Sequence, residues 1–236
     1  TLGDDASDAT NFGTLNLTGG TITLTEDSAT VLSGVSASAL TLTSAGSLTD
    51  VATTTITVGG LATFNLGTNA ITLGDDASDA TNFGTLNLTG GTITLTEDSA
   101  TVLSGVSASA LTLTSAGSLT DVATTTITVG GLATFNLGTN AITLGDDASD
   151  ATNFGTLNLT GGTITLTEDD STLLTGVSAS ALTLTTAGTI TDAATTTLTV
   201  GGLATFNAGT NAITLGENAS DATNFGTLNL TGGTIT

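Results

Sequence analysis

The carboxylates are the side chains of this sequence whose type and spacing could do chemistry. The chain has 21 Asp and Glu residues and no Lys, Arg or His, so its formal net charge is −21. The acids gather in short segments such as TEDS and GDDASD, between stretches of alternating apolar and polar residues. Clustered carboxylate oxygens suit Ca²⁺, a hard cation with oxygen ligands. The candidate calcium ligands are Glu26, Asp27, Asp75, Asp76, Asp79, Glu97, Asp98, Asp146, Asp147 and Asp150.

A second interpretation of these acidic segments needs no metal. Carboxylates at a solvated edge repel one another and keep like-charged molecules soluble and separate, with salt screening the repulsion. Known calcium motifs do not decide the matter, because GDDASD lacks the spacing and distal Glu of an EF-hand loop. The glycine-rich nonapeptide of calcium-binding repeat toxins is also absent. Both interpretations therefore stay open.

Catalysis is a poor use of these acids. The usual nucleophiles and neutral-pH bases are missing, because the chain has no His, Lys or Cys. Two carboxylates suffice for glycoside hydrolysis, so a polysaccharide-active β-helix is a minor alternative. However, the acids recur in repeated copies, and the only aromatic residues are seven Phe. The sequence predicts that the protein is not an enzyme and needs no cofactor other than the candidate Ca²⁺.

The composition also limits the partners. Without Lys or Arg nothing can neutralise phosphates, so nucleic acid and anionic lipid are poor partners. No apolar run approaches the roughly 20 residues of a membrane helix, and no membrane insertion is predicted. The absence of Cys excludes a disulfide framework. A mean hydropathy of +0.38 nevertheless indicates a folded chain.

The chain is a tandem array with a period of 71 residues. The segment TLGDDASDATNFG begins at Thr1, Thr72 and Thr143, and recurs as TLGENASDATNFG at Thr214. Such an array predicts one continuous domain, residues 1–236, that is part of something longer. Its parts are a partial coil (1–13), three repeats (14–84, 85–155 and 156–226, of which the first two are identical) and a second partial coil (227–236).

Within the repeat, three shorter segments align, residues 14–38, 39–62 and 63–84. Each alternates Leu, Ile or Phe with Thr or Asn, the period of a half-buried strand. We therefore predict an all-β fold, a parallel β-solenoid with three short strands per coil of 22–25 residues and three coils per repeat. The general crossover preference predicts right-handed coiling.

This alignment also predicts which residues stack along the axis. Leu15, Leu40 and Phe64 should form one inner ladder. The pairs Glu26-Asp27 and Asp75-Asp76 should share one corner, two coils apart. Asp50 should lie near that corner in the coil between them.

The runs NFGTLNLTGGTITLTEDSATVLSGVSASALTLTSAGSLTD and TITVGGLATF resemble the repeats of giant haemagglutinin-type surface adhesins of Gram-negative bacteria. The resemblance covers essentially the whole chain. It implies a filamentous, secreted β-solenoid located outside the cell or on its surface.

Repetition without a unique site favours a structural role. The sequence predicts a stalk or fibre segment of an extracellular bacterial adhesin, a stiff rod without trypsin-type cleavage sites. The alternative is a self-assembling sheath or matrix filament, and outward Thr residues make an ice-binding solenoid a further minor one. Expected partners are the continuation of the same chain, further copies stacked end to end, and lateral contacts between identical rods.

Overall fold

The computed structural model describes residues 1–3, 5 and 8–236. In this part of the chain there is no helix, and hence none that could cross a membrane. Its seventeen strands form one continuous sheet, in which every strand pairing is parallel. The strands are β1 (Leu15–Glu26), β2 (Thr30–Ser44), β3 (Leu48–Asp50), β4 (Thr55–Asn65), β5 (Ile71–Leu73), β6 (Ala80–Glu97), β7 (Thr101–Ser115), β8 (Leu119–Asp121), β9 (Thr126–Asn136), β10 (Ile142–Leu144), β11 (Ala151–Glu168), β12 (Thr172–Thr186), β13 (Ile190–Asp192), β14 (Thr197–Asn207), β15 (Ala212–Thr214), β16 (Ala222–Thr231) and β17 (Thr234–Ile235).

The sheet winds around the axis as a solenoid of about ten coils. A ladder through its centre shows the winding: Leu48 pairs with Ile71, Ile71 with Ile93, and Ile93 with Leu111. Each step returns the chain to the same face one coil later. The prediction of an all-β parallel solenoid is confirmed, while right-handed coiling stays a prediction.

Each coil has three faces, and the longer strands bend from one face to the next. In β4 the pairing skips from Val58 to Leu61, because Gly59 and Gly60 form a corner. Only glycine fits where corners stack closely: a Cβ at Gly84 would lie 2.4 Å from the Gly59 carbonyl oxygen. A Cβ at Gly91 would lie 2.2 Å from the Thr68 carbonyl oxygen, a distance at which neighbouring backbone would have to move.

The predicted number of coils per repeat is wrong. A face segment is a stretch of strand that lies on one face of the solenoid. From the strand pairing, β3 and β5 have one face segment each, β4 has two, and β6 and β7 have three each, which makes ten per repeat. Ten segments on three faces make three and one-third coils per 71 residues. Each repeat therefore begins one face further round than the last. Leu48 lies in the same ladder as Ile93. Leu119 is the residue equivalent to Leu48 in the next repeat, but it pairs with Thr101, which lies on the next face.

The predicted coil length and inner ladder fail for the same reason. Successive steps of the central ladder span 23, 22 and 18 residues, from Leu48 to Ile71, Ile93 and Leu111. Leu15, Leu40 and Phe64 do not stack, because their partners in the following coil are Leu32, Ala62 and Leu88. Alternating Leu and Thr occur on all three faces, so aligning such segments does not reveal which face each one occupies.

The inward and outward assignments of the side chains are confirmed. Leu40, Phe64 and Ile71 are at most 1% exposed, and they belong to a single apolar core that follows the axis. Edge-to-face phenylalanine pairs connect adjacent coils, as between Phe64 and Phe83, whose ring centroids are 5.8 Å apart. Such pairs contribute about 1 kcal/mol beyond the area that they bury.

One natural substitution tests this core. Leu137 is 2% exposed, and its equivalent in the last repeat is Ala208, which is fully buried. We expect Ala208→Leu to raise the free energy of unfolding by up to a few kcal/mol, since the core gains apolar contact. Leu137→Ala is the matched control and should lower it by about 2–5 kcal/mol. Chemical denaturation of the purified array measures both. Destabilisation by Ala208→Leu would show that the last repeat has repacked around the smaller residue.

Candidate functional site

Among the described residues, three groups of three carboxylates, here called the acidic trios, lie at the edges of the solenoid. In each trio, one carboxylate oxygen per residue lies within 4.8 Å of the others. Asp50 ends β3, and Asp75 and Asp79 lie in the turn after β5, which stacks on β3. Because each repeat is rotated by one face, the trios occupy three different edges. They are Asp50, Asp75 and Asp79; Asp121, Asp146 and Asp150; and Asp192, Glu217 and Asp221.

Carboxylates of the first trio fasten turns of neighbouring coils. Asp79 Oδ1 accepts a hydrogen bond from the Thr54 N–H at 2.8 Å, and its Oδ2 accepts one from the Asp76 N–H at 3.0 Å. Asp50 Oδ2 accepts one from the Gly74 N–H at 3.0 Å. The other Asp50 oxygen, Oδ1, is buried and has no hydrogen-bond partner. The trio therefore holds the backbone together at the cost of crowding negative charge.

The crowding and burial disturb the ionisation of the trios. Burial, the largest cause, and the charges of Asp150 and Asp146 together raise the pKa of Asp121 to about 6, against the lowering effect of the Gly145 N–H. The pKa of Asp50 is raised for the same reasons, with burial the largest cause. Burial also raises the pKa of Asp192. The inner carboxylate of each trio is therefore held closer to its neutral form than a free Asp.

A second set of acids accepts hydrogen bonds from backbone N–H groups in place of the carbonyl groups of a neighbouring strand. The first residues of β6 have no strand partner in β7, because pairing between these strands begins at Leu86. Glu97 Oε1 accepts the Phe83 N–H at 2.8 Å, and Asp98 Oδ2 accepts the Thr81 N–H at 3.0 Å. The same pattern recurs in Glu168 with Asp169, and in Glu26 with Asp27 at the N-terminal end.

The glutamates of this set are part of the core. Glu26, Glu97 and Glu168 are each 1% exposed. Glu97 Oε2 accepts a hydrogen bond from the Thr101 hydroxyl at 2.6 Å. Burial raises the pKa of Glu97 while its hydrogen bonds with Thr101 and Phe83 lower it. These side chains therefore satisfy buried N–H groups where a short coil leaves a gap in the ladder.

The structure brings some of the predicted ligands together and separates others. Asp75, Asp76, Asp79 and Asp98 line one surface depression. Asp146, Asp147, Asp150 and Asp169 line its counterpart one repeat later. The expected shared corner for Glu26-Asp27 and Asp75-Asp76 is wrong: Glu26 pairs with Ser44, before the face formed by β3, whereas Asp75 lies after it.

The calcium ligands predicted from the sequence lack Asp50 of the first trio, Asp121 of the second, and all three members of the third, Asp192, Glu217 and Asp221. Asp50, Asp121 and Asp192 stand alone in the sequence, at the ends of very short strands. The available signal is that each is the last residue of an alternating apolar-Thr-Asp segment, so its side chain must turn toward the corner. Their contact with the next coil depends on the true coil length.

Half of the oxygens in the first trio already accept backbone N–H groups, namely both of Asp79 and one of Asp50. The remaining candidates for a cation are Asp50 Oδ1 and the Asp75 carboxylate. Ca²⁺ takes six to eight oxygen ligands, so further ones would have to come from water or carbonyl groups. Calcium binding stays a prediction, and diffuse screening by salt is the simpler expectation.

Salt identity separates the two interpretations. We expect CaCl₂, MgCl₂ and NaCl at equal ionic strength to raise the thermal midpoint of the array equally, because screening depends on ionic strength. A larger gain in Ca²⁺ alone, lost in Asp75→Asn with Asp146→Asn, would establish a calcium site instead. Asp76→Asn with Asp147→Asn is the matched control, since these neighbours are outside the trios.

The raised pKa values predict greater stability in acid. A carboxyl group with a raised folded-state pKa contributes stability that is complete below its unfolded pKa and is lost as pH rises through the folded value. For Asp121 this window runs from 3.8 to about 6. We expect the thermal midpoint to fall between pH 4 and pH 7, and the fall to be smaller in Asp121→Asn than in the exposed control Asp147→Asn. A midpoint that rises over this range would contradict the burial of the trios.

Comparison with known proteins yields a family without an assigned activity. The family model described as "Repeats of unknown function (DUF5649)" matches residues 19–89, 90–160 and 161–231, three units of the same period as the sequence repeat. No curated protein and no solved structure shows significant similarity to the chain. Since the three matches cover most of the 236 residues, the chain belongs to the DUF5649 repeat family.

Proposed function

We propose that this chain is a segment of a stalk or fibre in an extracellular bacterial surface adhesin, where it spans distance as a stiff rod. One observation carries the proposal: the parallel sheet runs without interruption from β1 to β17 around a single apolar core. In a solenoid each coil contacts only its neighbours, so adding repeats adds length without changing the cross-section.

The continuous ladder accounts for stiffness. Bending the rod would stretch hydrogen bonds on one face and compress the core on the opposite side. Close packing of the interior resists such compression. The edge-to-face Phe64–Phe83 contact recurs as Phe135–Phe154 and Phe206–Phe225, so each repeat has the same connection between coils.

The distribution of charge favours single rods over a matrix filament. The three acidic trios lie on three different edges, and no basic residue balances them. Two parallel rods therefore meet negative charge on whichever edge they present, and like charges repel. This supports the stalk over the self-assembling sheath, which needs attractive lateral contacts.

Ice binding receives less support from the surface. An outward column of threonines runs from Thr72 through Thr94, Thr112 and Thr134, but continues as Asn158 and then Gly176. The rotation of each repeat ends every such column after a few coils. A flat, regular threonine face does not extend along the rod.

Arrays of three, six and nine repeats, viewed by electron microscopy, test the proposed function. We expect single unbranched rods that lengthen by about 16 Å per repeat, at about 4.8 Å per coil. Bundles or sheets at physiological salt would support the sheath instead, and flexible strings would refute a rigid spacer. Antibody labelling of intact and lysed cells tests the location, and labelling restricted to lysed cells would overturn it.

A further inference from the structure

Each repeat carries one Asn-Leu-Thr sequence at the same place. The motif Asn-x-Thr, with any residue but Pro in the middle, is the acceptor sequence of N-linked glycosylation. Asn65, Asn69 and Asn82 are not followed by such a Ser or Thr. The four motifs begin at Asn16, Asn87, Asn158 and Asn229.

The structure points these motifs outward. In β6, Leu88 is 1% exposed, whereas Asn87 and Thr89 on either side of it are half-buried on the outer face. Side chains two residues apart in a strand share a face, so the amide and the hydroxyl lie side by side. A group attached to the Asn87 amide would therefore extend away from the core.

The side-chain amides of the motif asparagines make no hydrogen bonds with the described residues. Among the described residues, the side chains of Asn87 and Asn158 make no hydrogen bond. Asn69 differs, since its Nδ2 donates to the carbonyl oxygens of Ala45 at 3.1 Å and Leu66 at 3.0 Å. Asn69 thus holds a turn in place, while the motif asparagines leave their amide nitrogen available.

Space for an attached group exists beside the amide. Gly105 is the partner of Asn87 in the next coil, and a Cβ at Gly105 would lie 3.2 Å from Asn87 Oδ1. Without that side chain, Asn87 borders a groove lined by uncharged groups, including Ser107 and Thr126. Asn158 borders the equivalent groove one repeat later, beside Gly176.

The rotation of the repeats separates the motifs around the rod. Asn87 lies on the face of β4 that includes Thr63, and Asn158 lies on the face that includes Thr112 and Thr134. Successive motifs are therefore one face apart and about 16 Å apart along the axis, at about 4.8 Å per coil. Attached groups would surround the rod without crowding one another.

We propose that Asn16, Asn87, Asn158 and Asn229 are acceptors of N-linked sugars. The donor is a sugar activated at its anomeric carbon as a phosphate ester. The amide Nδ2 forms a bond to that carbon, the carbon–oxygen bond to phosphate breaks, and the phosphate leaves with the electron pair while the amide loses one proton. The modification does not depend on the stalk function. Asn218, in a separate Asn-Ala-Ser sequence, is outside the proposal because its Nδ2 donates to Glu217.

Mass spectrometry of the protein from its native source tests the proposed glycosylation. Trypsin cannot cut a chain without Lys or Arg, so the denatured protein is digested at Asp and Glu. Fragmentation that preserves sugars should place them on Asn in the TLNLTGG peptides, and leave Asn65, Asn69 and Asn82 bare. Unmodified TLNLTGG peptides, or sugars confined to Ser and Thr, would overturn the proposal.

Because these peptides share one sequence, variants identify the individual site. In the native host, Thr89→Ala should lower the intact mass by one glycan beyond the substitution itself, while Thr89→Ser retains it. Thr128→Ala, in the groove but outside the motif, should also retain it. Equal glycan numbers in Thr89→Ala and the unsubstituted protein would overturn Asn87 as an acceptor.

Discussion

The strands of this protein obtain their backbone hydrogen bonds from the coils before and after them. Unpaired backbone groups are costly to bury, so each segment must lie over a segment of similar length on the same face. Two features satisfy this requirement in neighbouring coils: glycine at the close-packed corners, such as Gly84, and carboxylates where a short coil leaves N–H groups uncovered, such as Glu97 over Phe83. The glycines at these corners and the acids at these gaps follow from this one constraint.

The same constraint gives the acids their roles. Glu97 and Asp98 extend the ladder, and Asp50 and Asp79 tie turns to adjacent coils. Because ten face segments do not divide evenly among three faces, equivalent acids move to the next edge with each repeat. Negative charge is thereby spread around the rod rather than stacked along one edge, which limits the repulsion in a chain without basic residues.

The strand period, the inward faces and the parallel solenoid could be predicted from the sequence, because alternation and repetition record them directly. The coil length could not be predicted, because the Leu-Thr segments of all three faces look alike. The error carried over to the site, because Glu26-Asp27 was expected beside Asp75-Asp76. Asp50 was correctly expected near the Asp75-Asp76 corner but was not counted among the candidate ligands. Contacts between coils depend on how many residues each corner uses, and local pattern does not encode that number.

The stacking register is tested most directly by disulfide trapping, since the chain has no cysteine of its own. Thr94 and Thr112 are paired in adjacent coils, and paired strands lie at a distance that a disulfide can bridge. A Thr94→Cys, Thr112→Cys variant should oxidise to a disulfide within one chain, while Thr94→Cys with Thr120→Cys should not, because Thr120 lies on the next face. A disulfide in the second variant and none in the first would restore three coils per repeat and contradict the rotated solenoid.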